Sequence, residues 1–286
     1  MPRLLAMESP FPEQNHTLHL LEPLDSCQKS LWDRLFARTY AKPFIVDSGL
    51  QRRLQFDLYI VQSSMHREHP DRLSLAYTRK MMAFLLFNRA PARILLLGLG
   101  GGSLAKFCYR RLPRTAVTAI EVNPNVIALR EAFRIPPDDD RFRVIRADGA
   151  AYVARLERSK DVILADACDR VGIAPELDTL AFYQDAHRCL SREGVFVTNL
   201  CGDMDDCAGH VDKIRDVFGD GLMRLQVRPD GNIIVFAFKE HRPQIDWEQM
   251  KATAVDLKRR FGLDFPRYLR RIAPDWKLHQ WQHVPV

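Results

Sequence analysis

The feature that most constrains this sequence is a glycine-dense turn placed directly after an apolar strand. The strand is predicted at residues 94–97, Ile-Leu-Leu-Leu, and residues 98–103 read Gly-Leu-Gly-Gly-Gly-Ser. Glycines permit a tight turn and close approach of a ligand, and the following helix offers unpaired N–H groups at its start. The Gly-x-Gly-x-x-Gly pattern of NAD sites is not met, because position 103 is serine. This favours an S-adenosyl nucleoside, with contacts assigned to Gly98, Gly100, Gly101 and Gly102.

Carboxylates end the next three predicted strands. They are Glu121, Asp148 and Asp166. In open parallel sheets ligands bind beyond the carboxyl ends of the strands, so these side chains are expected to share one site with the glycine turn. Glu121 would bind the ribose and Asp148, followed by Gly149, the adenine amino group. Asp148 could also simply cap the next helix.

A pair of carboxylates follows the fourth predicted strand of this series. Asp166 and Asp169 stand three residues apart at the start of a loop that contains glycine and proline. An amine with a pKa near ~10 is mostly protonated at neutral pH, so alkylating it requires a group that orients the cation and accepts its proton. The pair suits that chemistry, although an acidic loop anchored by Arg170 is the simpler structural alternative.

Composition describes a soluble globular chain. The 286 residues are 47% hydrophobic, which can bury one large core and a smaller appended unit. The apolar run near Met81 is too short for a membrane span, and the N-terminus lacks a signal-peptide core. The six cysteines include no Cys-x-x-Cys pair and no metal spacing. We expect a cytoplasmic protein with no metal and no membrane association.

The order of predicted elements indicates an α/β fold. A helix over Ser74–Asn88 leads into a doubly wound, mostly parallel Rossmann-like sheet, which ends in an antiparallel hairpin. One of the helices that cover this sheet is predicted over Asn125–Phe133. Two short strands, Phe44–Val46 and Leu54–Val61, joined across Asp47-Ser48-Gly49, predict a small N-terminal β unit. We therefore divide the chain into an N-terminal segment (1–73), a nucleoside-binding catalytic domain (74–240) and a basic helical extension (241–286).

The positive charge is concentrated near the C-terminus. The chain has a net charge of +6, and residues 251–277 hold eight basic and three acidic residues. A solvated helical face is the expected explanation, because no nucleic-acid signature occurs elsewhere. An anionic partner is the alternative, and nucleic acid is not expected.

From about Leu54 to Phe238 the chain resembles the spermidine synthase family of aminopropyltransferases. The matching motifs are Glu121, Asp148-Gly149 and Asp166-x-x-Asp169, together with Gln62 and Tyr77. By this resemblance Gln62 would contact the nucleoside donor and Tyr77 the substrate. Asp166 would be the catalytic base and Asp169 a ligand for the distal amine. The resemblance also implies a polyamine or other amine as substrate, and allows for a homodimer.

The glycine turn leaves the donor open. The family's Gly-Gly-Gly-Asp-Gly-Gly has an aspartate where this chain has Gly101, and the turn also resembles that of methyltransferases built on the spermidine synthase fold. The leading hypothesis is aminopropyl transfer from decarboxylated S-adenosylmethionine to an amine. The alternative is N-methylation from intact S-adenosylmethionine. A non-catalytic nucleoside-binding or scaffold protein is a third hypothesis of another class, and an NAD oxidoreductase is the least favoured.

Overall fold

The protein consists of two β-sheets and nine α-helices in the part that a computed structural model describes, residues 3–10, 16–167, 172–201, 204–227, 231–240 and 243–281. The strands are β1 Leu5–Glu8, β2 His16–Leu20, β3 Phe44–Ser48, β4 Gln51–Gln55, β5 Val61–His66, β6 Arg93–Leu97, β7 Ala116–Glu121, β8 Phe142–Arg146, β9 Lys160–Ala165, β10 Leu190–Leu200, β11 Leu222–Gln226 and β12 Ile233–Phe238. The helices are α1 Gln28–Phe36, α2 Ala76–Met81, α3 Ser103–Arg111, α4 Pro124–Ala128, α5 Gly149–Val153, α6 Leu180–Cys189, α7 Met204–Phe218, α8 Trp247–Phe261 and α9 Phe265–Trp281. None of the described helices is both long enough and apolar enough to span a membrane.

The larger sheet has seven strands in the order β11-β12-β10-β9-β6-β7-β8. Strands β10, β9, β6, β7 and β8 pair in parallel, and β12 and β11 complete the sheet antiparallel. Alternate residues of β6 enter two apolar clusters, Ile94 and Leu96 in one and Leu95 and Leu97 in the other. Helices therefore cover both faces, and the predicted fold class is confirmed.

The N-terminal sheet is more extensive than the sequence indicated. Its five strands pair antiparallel in chain order, β1 to β5. The hairpin around Gly49 lies where it was predicted, but the predicted strand Leu54–Val61 is wrong. Strand β4 ends at Gln55 and β5 begins at Val61, because buried Asp57 turns the chain by accepting from the N–H groups of Tyr59 and Ile60.

Two predicted helices are shorter or less regular in the structure. The segment Ser74–Asn88 contains α2 followed by a 3₁₀ helix, Met82–Leu86, whose five residues are all buried. The helix predicted over Asn125–Phe133 ends at Ala128, and the chain continues in turns to Arg134, which has a positive φ of 53°. These turns bring Phe133 and Ile135 against the glycine turn.

The C-terminal helices pack on the same core as the central sheet. Ala254 and Leu257 of α8 and Phe265 of α9 are buried in the apolar cluster that also contains Ile94 of β6. The basic residues in the last turn of α8 lie on its exposed side.

Arg52 links the two halves of the fold. Its guanidinium donates to both carboxylate oxygens of Asp47 at 2.6 and 2.7 Å, and its Nη1 donates to the carbonyl oxygen of Ala132 at 2.7 Å. Both charged groups are largely buried, with 20% and 12% of the side chains exposed. Although burial opposes it, hydrogen bonding to Arg52 and His19 holds the pKa of Asp47 well below its usual range.

We predict that Arg52→Gln lowers the free energy of unfolding by about 3 kcal/mol, because removing one partner leaves a buried carboxylate poorly compensated. Urea denaturation at pH 7 measures this, with Arg53→Gln on the same strand as the matched control. A carboxyl group whose pKa is lower in the folded than in the unfolded state stabilises the fold at pH values above its unfolded pKa. This contribution is lost as the pH falls through the folded pKa. The difference between wild type and Arg52→Gln should therefore shrink in acid. Equal stabilities of the two variants at pH 7 would contradict the link.

Candidate nucleoside and amine site

A cavity of about 1060 Å³ opens at the carboxyl ends of the central strands. It lies where the chain order reverses, because β6 is flanked by β7 on one side and by β9 on the other. Ligand pockets commonly have volumes of ~300–1,000 Å³, so this one has room for two reactants. Eight of the predicted site residues line it: Gln62, Tyr77, Gly98, Gly100, Glu121, Asp148, Gly149 and Asp166.

The end of β6 fits closely against the start of the loop after β9. The N–H of Asp166 donates to the carbonyl oxygen of Leu97 at 2.9 Å. Gly98 has a φ of 93°, and a Cβ there would lie 2.3 Å from the carbonyl oxygen of Asp166. Only glycine satisfies both the backbone angle and the contact. Gly98 therefore allows Asp166 to stand beside the glycine turn.

Glu121 closes one wall of the cavity at the end of β7. Its Oε2 accepts from the N–H of Leu99 at 3.0 Å, and its Oε1 accepts from the N–H of Asn123 at 2.8 Å. Each carboxylate oxygen has a second lone-pair direction, so bonds to two hydroxyls remain available. This geometry is compatible with the predicted contact to a ribose.

Asp148 caps a helix and also lines the cavity. It is the N-cap of α5, where its Oδ1 accepts from the N–H of Ala151 at 2.7 Å, and it also lines the cavity. A Cβ on Gly149, the next residue, would lie 3.4 Å from Leu177 Cδ2, which is an ordinary contact distance. Capping fixes the direction of the carboxylate at the rim.

Asp166 is held by a network of neutral donors. Asn199 Nδ2 donates to Asp166 Oδ1 at 3.1 Å, and Asn232 Nδ2 donates to Asn199 Oδ1 at 2.9 Å. Tyr77 also hydrogen-bonds to the Asp166 side chain. Burial raises the pKa of Asp166 to about 6, and the bonds from Asn199 and Tyr77 oppose that rise. A carboxylate in this state is a base at neutral pH and can be protonated during a reaction.

The sequence did not identify Asn199 and Asn232. Asn199 lies near the end of β10, so the rule that found the carboxylates would have found it if applied to one more strand. Asn232 comes just before the antiparallel strand β12, whose Ile233 pairs with Leu200 of β10. Only this register, which the sequence does not specify, places the two amides together.

Two glycines of the turn lie behind the cavity wall. Neither Gly101 nor Gly102 lines the cavity. A Cβ on Gly101 would lie 2.7 Å from Ser63 Oγ and 2.9 Å from the ring of buried Phe133. A larger residue at position 101 therefore requires a shift of the surrounding structure. The predicted contacts of Gly101 and Gly102 with a nucleoside stay predictions, and Asp169 lies outside the described residues.

The cavity is acidic although the whole chain is basic. Its described lining includes four carboxylates, those of Glu121, Asp148, Asp166 and Glu176, and no arginine, lysine or histidine. Such a site favours cations.

An ion cluster anchors the far end of the loop after β9. Asp178 lies 2.6 Å from His210 Nδ1 and 2.5 Å from Lys213 Nζ of α7, and it accepts from Tyr183 Oη at 3.0 Å. The 3₁₀ helix Pro175–Leu177, which contributes Glu176 and Leu177 to the cavity, immediately precedes it. The cluster thus fixes this part of the cavity wall to the sheet-covering helices.

The sheet order and the cavity at the switch point are those of class I S-adenosylmethionine-dependent transferases. The family model for the spermine/spermidine synthase domain matches residues 74–209. A polyamine aminopropyltransferase of Chromobacterium violaceum is 38% identical over 80% of this chain and 88% of its own length. The chain belongs to the spermine/spermidine synthase family.

Solved structures share the fold. A probable spermidine synthase from Corynebacterium glutamicum aligns with a TM-score of 0.62 at 17% identity, covering 90% of this chain and 88% of that one. Human methyltransferase-like protein 13, in complex with SAH, aligns with a TM-score of 0.59 at 25% identity, covering 66% of this chain and 93% of that one. The fold is thus shared with an enzyme of the family and with a methyltransferase-like protein.

We predict that Asn199→Leu raises the pKa of Asp166 above its value of about 6, because it removes a donor that lowers the pKa while keeping water out. Titration of the carboxyl carbons by NMR measures the shift. Asn232→Leu, which removes only the amide that holds Asn199, should give a smaller rise. An unchanged Asp166 titration in Asn199→Leu would contradict the assigned hydrogen bond.

Proposed function

We propose that this protein transfers an aminopropyl group from decarboxylated S-adenosylmethionine to an amine. The observation that carries the proposal is Asp166, a partly buried carboxylate with a raised pKa in an acidic cavity that is large enough for two reactants. Membership of the spermine/spermidine synthase family supports the same reaction.

The reaction is a displacement at carbon. The amine nitrogen attacks the aminopropyl carbon bonded to the sulfonium sulfur, a C–N bond forms, the C–S bond breaks, and methylthioadenosine leaves with the electron pair. Asp166 accepts a proton from the ammonium group of the bound substrate, which leaves a neutral amine with a free electron pair for this attack. Alignment of the two reactants in one cavity supplies much of the rate gain.

Each predicted contact then has a role. Gln62, Glu121, Asp148 and the glycine turn would bind the nucleoside, and Tyr77 would orient the amine beside Asp166. We propose Asp169 as the ligand of the distal amine, on the basis of the family motif.

The charges of the site support the decarboxylated donor. Intact S-adenosylmethionine carries an additional carboxylate, which would enter a cavity whose described lining has four carboxylates and no basic side chain. Backbone N–H groups could compensate, but those of Gly98, Leu99 and Gly102 are bonded to Ile120 O, Glu121 Oε2 and Leu99 O. Few donors of the turn remain for a carboxylate.

N-methylation is the second candidate function. It is favoured by Gly101, which provides no carboxylate for the donor's ammonium, and by the similarity to human methyltransferase-like protein 13. The same base and the same nucleoside contacts would serve it.

We predict that Asp166→Asn lowers kcat by about 10²-fold or more while the Kd for methylthioadenosine changes little, because only the proton acceptor is lost. In the wild type, kcat should rise with pH and level off above about pH 6, where Asp166 is ionised. The control is Asp216→Asn on the exposed side of α7. Turnover by Asp166→Asn at the control's rate would refute the assignment.

We also predict that decarboxylated S-adenosylmethionine binds at least about tenfold more tightly than the intact form, a difference of ~1.4 kcal/mol. Calorimetry of the wild type with each donor measures this. Mass analysis of products formed from each donor with a panel of amines identifies the transferred group. A mass increase of one methyl group, with tighter binding of the intact donor, would replace aminopropyl transfer by N-methylation.

A further inference from the structure

A second cavity, of about 590 Å³, lies on the other side of α2 from the acidic one. Tyr77 and Arg79 both belong to this short helix, but Tyr77 lines the first cavity and Arg79 the second. Residues two positions apart point to nearly opposite sides of a helix, so α2 forms a wall between the two spaces. Nothing in the proposed transferase reaction uses the second one.

Three guanidinium groups line this second cavity, those of Arg72, Arg79 and Arg111. Arg79 Nη1 donates to the carbonyl oxygens of Leu73 and Ser74 at 3.0 and 2.6 Å, and Arg111 Nη2 donates to the carbonyl oxygen of Arg260 at 2.7 Å. Carbonyl oxygens fix an arginine side chain without neutralising its charge, and each guanidinium has five N–H donors, most of which remain for a ligand.

The positive charge of the cavity is not cancelled by acidic neighbours. Within the described ranges, Arg72, Arg79 and Arg111 form no ion pair with a carboxylate. The cavity does contain one carboxylate, Asp71, but Arg110 lies 3.9 Å from it and offsets its charge. The cavity therefore presents a surplus of positive charge.

Beneath the guanidinium groups the cavity is apolar. Leu73, Phe107, Phe261 and Leu263 line it and are at most 7% exposed. The floor is built at the junction of α3 with the turn between α8 and α9, where Gly262 ends α8. The basic residues of the last turn of α8, Lys258, Arg259 and Arg260, are exposed and do not line the cavity, and Lys258 lies 3.5 Å from Asp264.

We propose that this cavity binds the polyphosphate group of a small molecule. Arginine is the side chain best matched to phosphate, because its planar fork donates two parallel hydrogen bonds. Three such forks around one concave space suit a ligand with several adjacent negative charges. A recessed cavity with an apolar floor favours a small molecule over the extended backbone of a nucleic acid. The proposal is independent of the proposed transferase activity.

The test is calorimetry of the full-length protein at low ionic strength with inorganic tripolyphosphate, a probe without the adenosine that would enter the acidic cavity. We expect saturable binding of one equivalent, undisturbed by saturating methylthioadenosine. Arg111→Gln should weaken it about tenfold, and Arg72→Gln should do the same. The control, Arg259→Gln, removes an exposed charge of α8 that does not line the cavity and should change the affinity less than twofold.

Arg111 also joins α3 to α8, so its substitution can disturb folding as well as binding. Two variants separate these effects: Arg111→Lys keeps the charge, and Arg72→Gln changes an exposed side chain. ATP measured with saturating methylthioadenosine distinguishes the sources of the phosphate. Tighter binding than tripolyphosphate supports a nucleotide on the apolar floor, and equal binding supports recognition of the phosphates alone. Absence of saturable binding, or equal weakening by Arg259→Gln and Arg111→Gln, would overturn the proposal. The proposal would also be overturned if a DNA oligonucleotide bound more tightly than tripolyphosphate and ATP, and if Arg259→Gln and Arg111→Gln weakened its binding equally.

Discussion

The carboxyl ends of β6 and β9 approach each other so closely that only a residue without a Cβ fits between them. Gly98 permits this contact, and the hydrogen bond from the Asp166 N–H to the Leu97 carbonyl continues the strand pairing into the first residue of the loop. Asp166 consequently lines the cavity and is only partly exposed to solvent. Burial raises the pKa of Asp166 to about 6. The side-chain amide of Asn199 and the hydroxyl of Tyr77 supply the hydrogen bonds that a carboxylate withdrawn from water requires. The acid–base property of the site thus follows from a backbone contact one strand away.

A second constraint acts on the other side of the glycine turn. Lys106 of α3 is fully buried, and its Nζ donates to the carbonyl oxygen of Phe133 at 2.7 Å, while Arg52 holds the carbonyl of Ala132. Burial lowers the pKa of Lys106 to about 7. Lys106 and Arg52 together hold the segment after α4 against Gly101. Position 101 therefore packs against Phe133 and has no room for a side chain. Any counter-charge for a cationic donor must therefore come from carboxylates that line the cavity and not from the turn itself.

The central sheet was predictable because its inner parallel strands, such as β6 and β9, are buried on both faces and therefore mostly apolar. The strand-end residues Glu121, Asp148 and Asp166 followed from the same pattern. Prediction failed where tertiary contacts decide the local structure. Strand β2, His-Thr-Leu-His-Leu, has too few apolar residues to be recognised, and the apolar residues between Leu54 and Val61 concealed a turn fixed by the side chain of Asp57. The amide pair Asn199 and Asn232 depends on the register of antiparallel strands, which no local pattern encodes.

The net charge of the chain is a poor guide to the chemistry of its site. A surplus of six positive charges would favour anionic ligands if charge were evenly spread, yet the described lining of the large cavity carries four carboxylates and no basic group. A basic chain can have an acidic cavity because exposed charges more than ~8–10 Å from the cavity are largely screened at physiological ionic strength. The cation preference of the cavity is therefore set by its own walls. The arginines of the second cavity lie on the other side of α2 from the acidic cavity, so one chain presents opposite potentials at two surfaces.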